Sequence, residues 1–424
     1  MSSFRSLARN RDFTLLWVGE AVSQLGTGAT LFVLPLIGHA LTGSALLAAL
    51  PVAAYTLGIA LALLPAGVIA DQVDRRLVLM ASSAVGLVLM ASIAIAGLLG
   101  AMTVTHLILV ALGAGAVAGF YLPTEMSAVR SVVSREELPT AISQSQARHH
   151  LASLLGGPLG GLLYAVARPL PFLVDAATFA FSLVTLSRIR ADLSPVQRQR
   201  GTPLRELAEG LGHLLSRPYF RATAAFSALF NLVVNAVIFV AVIRMVEAGV
   251  PSTTIGLVEA LSGVGGVLGA ILAPFVIDRV RTGHLTMASA WIWVPLLLPL
   301  VFWSSPWLIG AMLCLGLLLN PAGNAASQSY RVAITPEALQ GRIASSSQFL
   351  SFTTIPLAPL LGGWLIETYG GGTATLVLVV SAALTALIPT LSRSVRSVPR
   401  PRDWPVLGAE CEGAGTPKVL HSAQ

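Results

Sequence analysis

Long runs without an acidic residue, lysine or arginine constrain this chain more than any other feature. No such residue occurs in 21–70, 77–124 or 282–330. A helix needs roughly 20 apolar residues to cross a bilayer, so each run is long enough for two crossings joined by an uncharged turn. A helix of a soluble protein would instead show a charged face at helical period. The sequence therefore predicts an all-α membrane protein.

Twelve apolar segments bounded by charged or turn residues are predicted to cross the membrane. They lie at 13–38, 44–70, 77–99, 104–128, 141–166, 170–187, 222–246, 253–277, 285–303, 307–330, 343–366 and 373–391. We call them segments one to twelve. The polar stretch 188–221 divides them six and six.

Four parts of the chain follow from this division. We predict a six-helix bundle at 1–187, a cytoplasmic linker at 188–221, a second six-helix bundle at 222–392 and a disordered cytoplasmic tail at 393–424. The linker contains PLRELAEGLGHLLSRP, whose leucines repeat at helical spacing and predict an amphipathic helix on the membrane surface. The tail is rich in Pro and Arg, a composition typical of disorder.

The basic residues set the orientation. Of the 26 Lys and Arg residues, all except Arg148, Arg168 and Arg244 lie at the termini or in connections that follow even-numbered segments. The positive-inside rule therefore places both termini of this multi-pass protein in the cytoplasm. Because the net charge of +7 is explained by orientation, we expect no nucleic-acid partner.

The two halves of the chain repeat each other. Arg130 and Glu136 recur as Arg331 and Glu337, and the pair Gly160-Gly161 recurs as Gly362-Gly363. Two parallel six-helix repeats are typical of transporters and predict a cavity between the halves. The fold class is thus twelve helices in two pseudo-symmetric six-helix bundles.

Polar side chains form stripes along three of the segments. They are Glu20, Gln24 and Thr27 in segment one, Ser227, Asn231 and Asn235 in segment seven, and Asn320, Asn324, Ser327, Gln328 and Arg331 in segment ten. A polar side chain facing lipid is costly, so each stripe is expected to face protein or a water-filled cavity. The alternative is that these side chains hydrogen-bond between packed helices.

Ionisable residues inside the segments are candidates for function. They are Glu20, Glu125, Arg148, His149, His150, Asp175 and Glu259. A charge there is costly unless it is paired or hydrated. A buried carboxyl group can also take a proton from one side of the membrane and release it at the other. We predict that Glu20 or Glu125 carries the proton, although Glu125 could instead be a structural partner of Arg148.

Several motifs resemble the major facilitator superfamily. GVIADQVDRR, with Gly67, Asp71, Arg75 and Arg76, is similar to the family's signature between helices two and three, and PFVIDRVRTG is similar to its second copy. RNRDFTLLWVGEAVSQLGTG, SREELPTAIS and GGPLGGLL resemble the drug and siderophore exporter branch, which includes enterobactin and macrolide exporters. The resemblance spans roughly residues 9–391.

The resemblance implies a major facilitator fold with a central cavity lined by helices one, four, seven and ten. On these helices the candidate cavity residues are Gln24, Thr27, Tyr121, Asn231, Asn235, Asn320, Asn324 and Gln328. Helix six is peripheral in the family, which favours a structural hydrogen bond for Asp175. Because His149 and His150 point to different faces of a helix, we expect at most one of them to reach the cavity.

The family also implies that the loop between segments two and three is a gate. A helix N-terminus carries roughly half a positive charge. We therefore expect Asp71 to contact the start of segment eleven near Gly341, and Asp278 to contact the start of segment five near 138–141, when the cytoplasmic side is closed. Gly67 would allow the close helix approach, whereas Arg75 and Arg76 also fix the topology.

The resemblance predicts a secondary transporter of the bacterial inner membrane. It would export a small amphipathic molecule, such as a drug, siderophore or secondary metabolite, by proton antiport and alternating access. We expect a monomer in the lipid bilayer that uses the proton gradient and needs no cofactor or metal. Proton-coupled uptake of a small solute stays open, and a polytopic membrane enzyme is less favoured because the sequence has no HExxH, GxSxG or GxxxxGK[ST] motif.

Overall fold

The computed structural model describes residues 7, 9–194, 203–335 and 337–404. The N-terminal half contains six long helices: α1 (Arg11–Thr42), α2 (Ala45–Gln72), α3 (Arg75–Leu98), α4 (Val104–Val132), α5 (Leu138–Val166) and α6 (Leu170–Ser187). The short helix α7 (Pro203–Ser216) falls in the predicted linker. Two further long helices, α8 (Pro218–Glu247) and α9 (Ser252–Ile277), begin the C-terminal half.

The remaining helices of the C-terminal half are interrupted. They are α10 (Thr282–Trp291), α11 (Trp293–Phe302), α12 (Pro306–Leu318), α13 (Asn320–Ala333), α14 (Glu337–Thr354) and α15 (Leu357–Leu391). Segments nine and ten are thus each split in two, and segment eleven is split between α14 and α15. The splits lie beside Pro295, Pro321 and Pro356. A proline has no N–H to donate and its ring clashes with the carbonyl four residues earlier.

The predicted all-α membrane fold is confirmed. Among the described residues, ten helical stretches are long and apolar enough to cross a membrane. Segment five falls below that threshold because its helix, α5, carries several polar residues. The end of segment eleven and all of segment twelve count as one stretch because both belong to α15, which has a break at Gly370, where φ is 76°.

Side chains at the helix starts fix the short connections. Asn10 accepts a hydrogen bond from the Phe13 N–H at the start of α1, and Ser44 accepts one from the Leu47 N–H at the start of α2. Asp74 and Thr103 cap α3 and α4 in the same way. Such caps satisfy N–H groups that have no partner inside the helix. The helices therefore run alternately up and down between two faces of the bundle.

We call the face of the bundle where α1 begins the terminus face, and the face where α1 ends the far face. The internal repeat is visible in how the helices pack between them. In the N-terminal half, a Cβ at Gly115 would overlap the carbonyl oxygen of Tyr55, so α2 and α4 touch through their backbones. In the C-terminal half, a Cβ at Gly265 would overlap the carbonyl oxygen of Cys314, which joins α9 and α12 equally closely. Segments two and four of one half thus pack as segments eight and ten of the other do.

The predicted disordered tail differs from the structure over residues 393–404. A short helix α16 (Arg393–Arg396) follows α15, and Val395 and Val398 are each only 2% exposed. The carbonyl of Val398 accepts a hydrogen bond from the Gly283 N–H, 3.3 Å away. These two valines pack with residues at the start of α8, which offsets the cost of ordering a chain rich in Pro and Arg. Residues 405–424 lie outside the described part of the chain.

Candidate functional site

A cavity of about 450 Å³ lies between the helices of the N-terminal half and α8, α9 and the start of α15 in the C-terminal half. Most of its wall comes from α1 to α6, including Phe172 and Phe179 of α6. The C-terminal half contributes Asn235 and Phe239 of α8 and Glu259 of α9. The wall is therefore mainly apolar with a few ionisable groups, a composition typical of small-molecule sites.

Four side chains form a continuous hydrogen-bonded network beside the cavity, and two of them, Glu20 and Gln24, lie in its wall. The Gln24 amide nitrogen donates to Glu20 Oε1 at 2.8 Å, and Arg148 Nε donates to Gln24 Oε1 at 3.4 Å. Arg148 also forms a salt bridge with Glu125, with 2.5 Å between Nη2 and Oε1. Glu20, Glu125 and Arg148 are all 5% exposed or less. The network ties α1, α4 and α5 together at one level.

The charges of this network do not balance. With both carboxyl groups ionised it carries two negative charges and one positive charge. The positive charge of Arg148 lies directly against Glu125, while Glu20 reaches Arg148 only through the amide of Gln24. A buried net charge is unfavourable. Binding of one proton or of a cationic group would neutralise the network.

Four of the predicted cavity residues lie in the cavity wall, namely Gln24, Thr27, Tyr121 and Asn235. Tyr121 projects from α4 and is 7% exposed. Of the adjacent histidines, His149 is in the wall and His150 is not. Helices one, four and seven of the predicted lining set thus reach this cavity, and helix five reaches it through His149, whereas helix ten contributes no described residue to its wall.

The other four predicted cavity residues are not among the described residues that line it. Asn231 donates from its amide to the carbonyl of Ser227 one turn earlier, at 2.9 Å. Asn324 donates to the side-chain oxygen of Asn320 at 3.0 Å, and Asn324 and Gln328 are exposed. The stripe of segment ten lies on α13 alone, and helical spacing does not fix how that helix is turned relative to the cavity.

Two carboxylates in the cavity wall come from helices outside the predicted lining set. Asp175 of α6 is fully buried, and Thr27 of α1 donates a hydrogen bond to its Oδ1 at 3.3 Å. Glu259 of α9 lies beside Gly157 of α5. Asp175 thus makes the expected hydrogen bonds, but α6 lines the cavity. In the sequence, both residues are marked only as acidic residues inside apolar segments.

Tyr55 of α2 also lies in the cavity wall, although no pattern in the sequence marks it as a cavity residue. A single tyrosine in an apolar helix is weak evidence of a functional site, because its ring is well accommodated among apolar side chains and only its hydroxyl needs a polar partner.

The loop between α2 and α3 binds within the N-terminal half. The Arg76 guanidinium donates to the carbonyl oxygens of Ser187 and Ile189 just after α6, at 2.8 and 2.5 Å. Arg75 donates to the Ser131 hydroxyl at 3.0 Å. Arg76 therefore supplies donors and a positive charge at the end of α6, where the last carbonyls have no partner in the helix.

For the acidic residues of the predicted gate, Asp71 and Asp278, the described part of the structure gives no contact with the helix starts they were expected to meet. Asp278 is exposed at the end of α9. The placement of Gly67, and of the side chain of Asp71, lies outside what the structure describes, as does that of Gly341. The contacts predicted for Asp71 and Asp278 therefore stay predictions.

Beyond the bundle on the terminus face, Asp192 follows α6. The hydroxyl and backbone N–H of Ser194 hydrogen-bond to this exposed carboxylate and lower its pKa. These bonds fix the turn whose carbonyls, at Leu193 and Ser194, accept weak hydrogen bonds from Arg75. The loop after α6 and the loop before α3 thus hold each other.

Hydrogen bonds between described residues of the two halves lie at the far face. Glu367 of α15 accepts from the Ser44 hydroxyl at 3.0 Å and from the Ala45 N–H at 2.8 Å, at the start of α2. The Ser252 hydroxyl of α9 donates to the carbonyl of Gly161 in α5 at 2.9 Å. These contacts join α2 to α15 and α5 to α9 where the cavity ends.

Glycines allow the close approach of α5 and α9 at the far face, and Gly256→Leu tests it. A Cβ at Gly256 would overlap the carbonyl oxygen of Gly157, so the leucine is expected to push the two helices apart. The measurement is the distance between spin labels on cysteines at the exposed positions Ala167 and Ala248. We expect it to lengthen by roughly 3 Å, since a leucine side chain adds several methyl-sized groups to a backbone contact.

Gly266→Leu is the matched control for this experiment. It lies on the same helix, and a Cβ there would have no atom within 4 Å. The label distance is expected to stay as in the parent protein. A distance unchanged in Gly256→Leu would show that the two helices do not touch through Gly256.

Comparison with known proteins gives one consistent family. A sequence model described as the Major Facilitator Superfamily matches residues 16–353 and again residues 224–419. The multidrug efflux pump Tap of Mycolicibacterium fortuitum is 24% identical over 400 residues, which cover 91% of this chain and 96% of the pump. The enterobactin exporter EntS of Citrobacter koseri is 27% identical over 287 residues, covering 66% of this chain and 67% of the exporter.

Solved structures show the same fold at low sequence identity. A bacterial homologue of the iron transporter ferroportin, in an inward-facing state, superposes with a TM-score of 0.72 at 16% identity and covers 92% of this chain and 99% of the homologue. The nucleoside transporter NupG superposes with a TM-score of 0.70 at 14% identity and covers 89% of this chain and 98% of NupG.

Proposed function

The chain belongs to the major facilitator superfamily and is a membrane transporter, and we propose that it exports a small amphipathic molecule across the bacterial inner membrane in exchange for protons. In this proposal the terminus face is cytoplasmic, because the basic residues lie there. The relatives that export drugs and enterobactin support the direction of transport.

The observation that carries the proposal is the unbalanced charge of the buried network. Glu20, Gln24, Glu125 and Arg148 are linked by hydrogen bonds beside the cavity and have one carboxylate in excess. An antiporter needs a group that holds a proton when substrate is absent and gives it up when substrate binds. A carboxylate without a fixed cationic partner, at the wall of the substrate cavity, meets that need.

We assign the proton to Glu20. Glu125 is held by the direct salt bridge to Arg148, so protonating it would leave the arginine unpaired and buried. Protonating Glu20 keeps the salt bridge and removes the excess charge. The hydrogen bond from Gln24 to Glu20 then transmits the change of charge to Arg148 and to α5, which contacts the other half.

The cavity wall supports an amphipathic substrate. Aromatic and aliphatic side chains such as Phe172, Phe179 and Phe239 would cover an apolar part of the molecule. Gln24 and Asn235, one from each half, offer polar groups in the same wall. A wall of this kind fits several ligands of similar size, because apolar contacts constrain direction less than hydrogen bonds do.

Alternating access would then be a rocking of the two halves. The contacts of Glu367 with α2 and of Ser252 with α5 would break when the far face opens. The gating loop with Gly67, Asp71, Arg75 and Arg76, together with Asp278, would close the cytoplasmic side in the same step. Asn320, Asn324 and Gln328 stay candidates for the path between the cavity and that side.

Accumulation of labelled compounds in cells tests the direction. Cells that produce the protein are compared with cells that lack it, using a macrolide, a catecholate siderophore and the fluorescent dye ethidium. Export lowers the cellular content of at least one compound in producing cells, and the decrease disappears when the proton gradient is dissipated. Higher content in producing cells would instead establish uptake.

A further inference from the structure

We propose that the cavity wall contains a separate site for one monovalent cation, built from the carboxylate of Asp175 and the hydroxyls of Thr27, Thr30 and Thr178. It goes beyond the proposed function because it concerns binding of an inorganic ion and involves none of the four side chains of the Glu20 network.

The four side chains meet between α1 and α6. Asp175 Oδ1 accepts from the Thr27 hydroxyl at 3.3 Å and from the Thr178 hydroxyl at 3.2 Å. The Thr30 hydroxyl lies beside the same carboxylate. Thr27 and Thr30 are three residues apart on α1, and Asp175 and Thr178 are three apart on α6, a spacing that places side chains on one helix face. Oxygen atoms from both helices thus converge on one point.

Two of these oxygen atoms lack a partner. Asp175 Oδ2 and Thr30 Oγ1 are both buried and the two side chains lie close together, yet neither atom makes a hydrogen bond of good geometry to a described residue. Asp175 is 0% exposed and Thr30 is 4% exposed. A buried carboxylate oxygen without a partner is unfavourable. A cation held between these two oxygens would satisfy both.

The surrounding charges favour a single positive charge. The groups that face Asp175 are the hydroxyls of α1 and α6 and the phenol of Tyr55 on α2, and no positively charged side chain lies beside it among the described residues. One carboxylate and neutral hydroxyls balance one positive charge, whereas a divalent ion would leave an excess charge in a medium of low dielectric constant. Hard oxygen ligands suit Na⁺ or a proton better than a soft metal.

The packing of α1 keeps the site compact. A Cβ at Gly26 would lie 2.7 Å from Asp175 Oδ1 and would overlap the Thr178 hydroxyl. The backbone of α1 therefore approaches the carboxylate more closely than any other residue would allow.

Thermal unfolding of the purified protein in detergent tests the site with Na⁺ as the probe. Sodium chloride replaces choline chloride at constant ionic strength, and unfolding is followed by tryptophan fluorescence. Saturating Na⁺ is expected to raise the Tm by about 3 °C, because a ligand that binds only the folded state stabilises it. Asp175→Asn should abolish the rise, and Thr178→Val should move the midpoint of the sodium titration upward about tenfold.

Repeating the experiment across pH distinguishes the two cations. If the bound cation is a proton, Na⁺ has no effect, and lowering the pH raises the Tm of the parent protein more than that of Asp175→Asn. Glu20 and Glu259 are present in both proteins, so the difference reports Asp175.

Thr185→Val is the matched control on α6, because Thr185 also bonds to a backbone carbonyl three residues earlier but is not beside Asp175. It should titrate as the parent does. If Asp175→Asn does not fold, Thr30→Val replaces it, with the same upward shift of the midpoint expected. A parent protein that responds to neither cation, or variants that respond as the parent does, would overturn the site. No transported compound is involved, so this result is independent of whether the protein exports.

Discussion

Arg148→Met is expected to lower the free energy of unfolding by about 3–5 kcal/mol, the usual cost of removing one partner from a buried ion pair. Arg148 is the only cation within hydrogen-bond distance of Glu125 among the described residues, and both side chains are buried. Without it, Glu20 and Glu125 become two buried carboxylates with no counter-charge. The loss should shrink as the pH is lowered, because protonation removes the uncompensated charge. Chemical unfolding in mixed micelles at several pH values measures it.

The double variant Glu125→Leu/Arg148→Met is the control for that prediction. It removes both charges of the pair and replaces them with apolar groups of similar size, an exchange that is often neutral for stability. We expect it to recover most of the stability lost in Arg148→Met. A double variant as unstable as the single one would show that Arg148 stabilises the bundle through packing and not through Glu125.

Glu20→Gln is expected to abolish transport driven by a pH gradient while leaving substrate exchange intact. A gradient of one pH unit is worth about 1.4 kcal/mol per proton, enough for an accumulation ratio of about 10 when one proton exchanges for one neutral substrate. Without a group that binds the proton, the ratio should fall to about 1. Exchange of labelled for unlabelled substrate needs no net proton movement and should continue. Both are measured in proteoliposomes.

Glu125→Gln separates the two candidate carboxylates. It breaks the salt bridge to Arg148 but leaves Glu20, which can then pair with the freed arginine. We expect lower stability and a reduced but measurable accumulation ratio. A ratio that falls to about 1 in Glu125→Gln and stays near 10 in Glu20→Gln would move the proton site to Glu125.

Much of the fold could be predicted because each of its signals is local. Charge-free runs of about 50 residues require paired crossings, and cap residues such as Ser44 and Asp74 stand where the connections begin. The contact between Glu125 and Arg148 could also be predicted from the positions of the two residues along neighbouring helices. Glu125 lies seven residues before the end of α4 and Arg148 ten residues after the start of α5, so the two sit at similar depth.

The parts of the site that could not be predicted depend on how the helices rotate and bend. The stripes of segments seven and ten each lie on one unbroken helix, α8 and α13, and helical spacing does not fix how such a helix is turned about its axis. Asp175 was expected to be peripheral because it belongs to segment six. Its approach to the cavity instead follows from Gly26, whose lack of a side chain lets α1 rest on α6. Such a contact between distant residues has no signature in one sequence.

The exchange of substrate for protons is tested most directly by proton movement driven by substrate alone. Proteoliposomes are loaded with a compound identified in the cell assay and with a pH-sensitive dye, and are diluted into compound-free buffer at the same pH. As the compound leaves, protons should enter and the interior should acidify in the parent protein but not in Glu20→Gln. Efflux of the compound with no change of internal pH, or with protons leaving alongside it, would contradict antiport through this network.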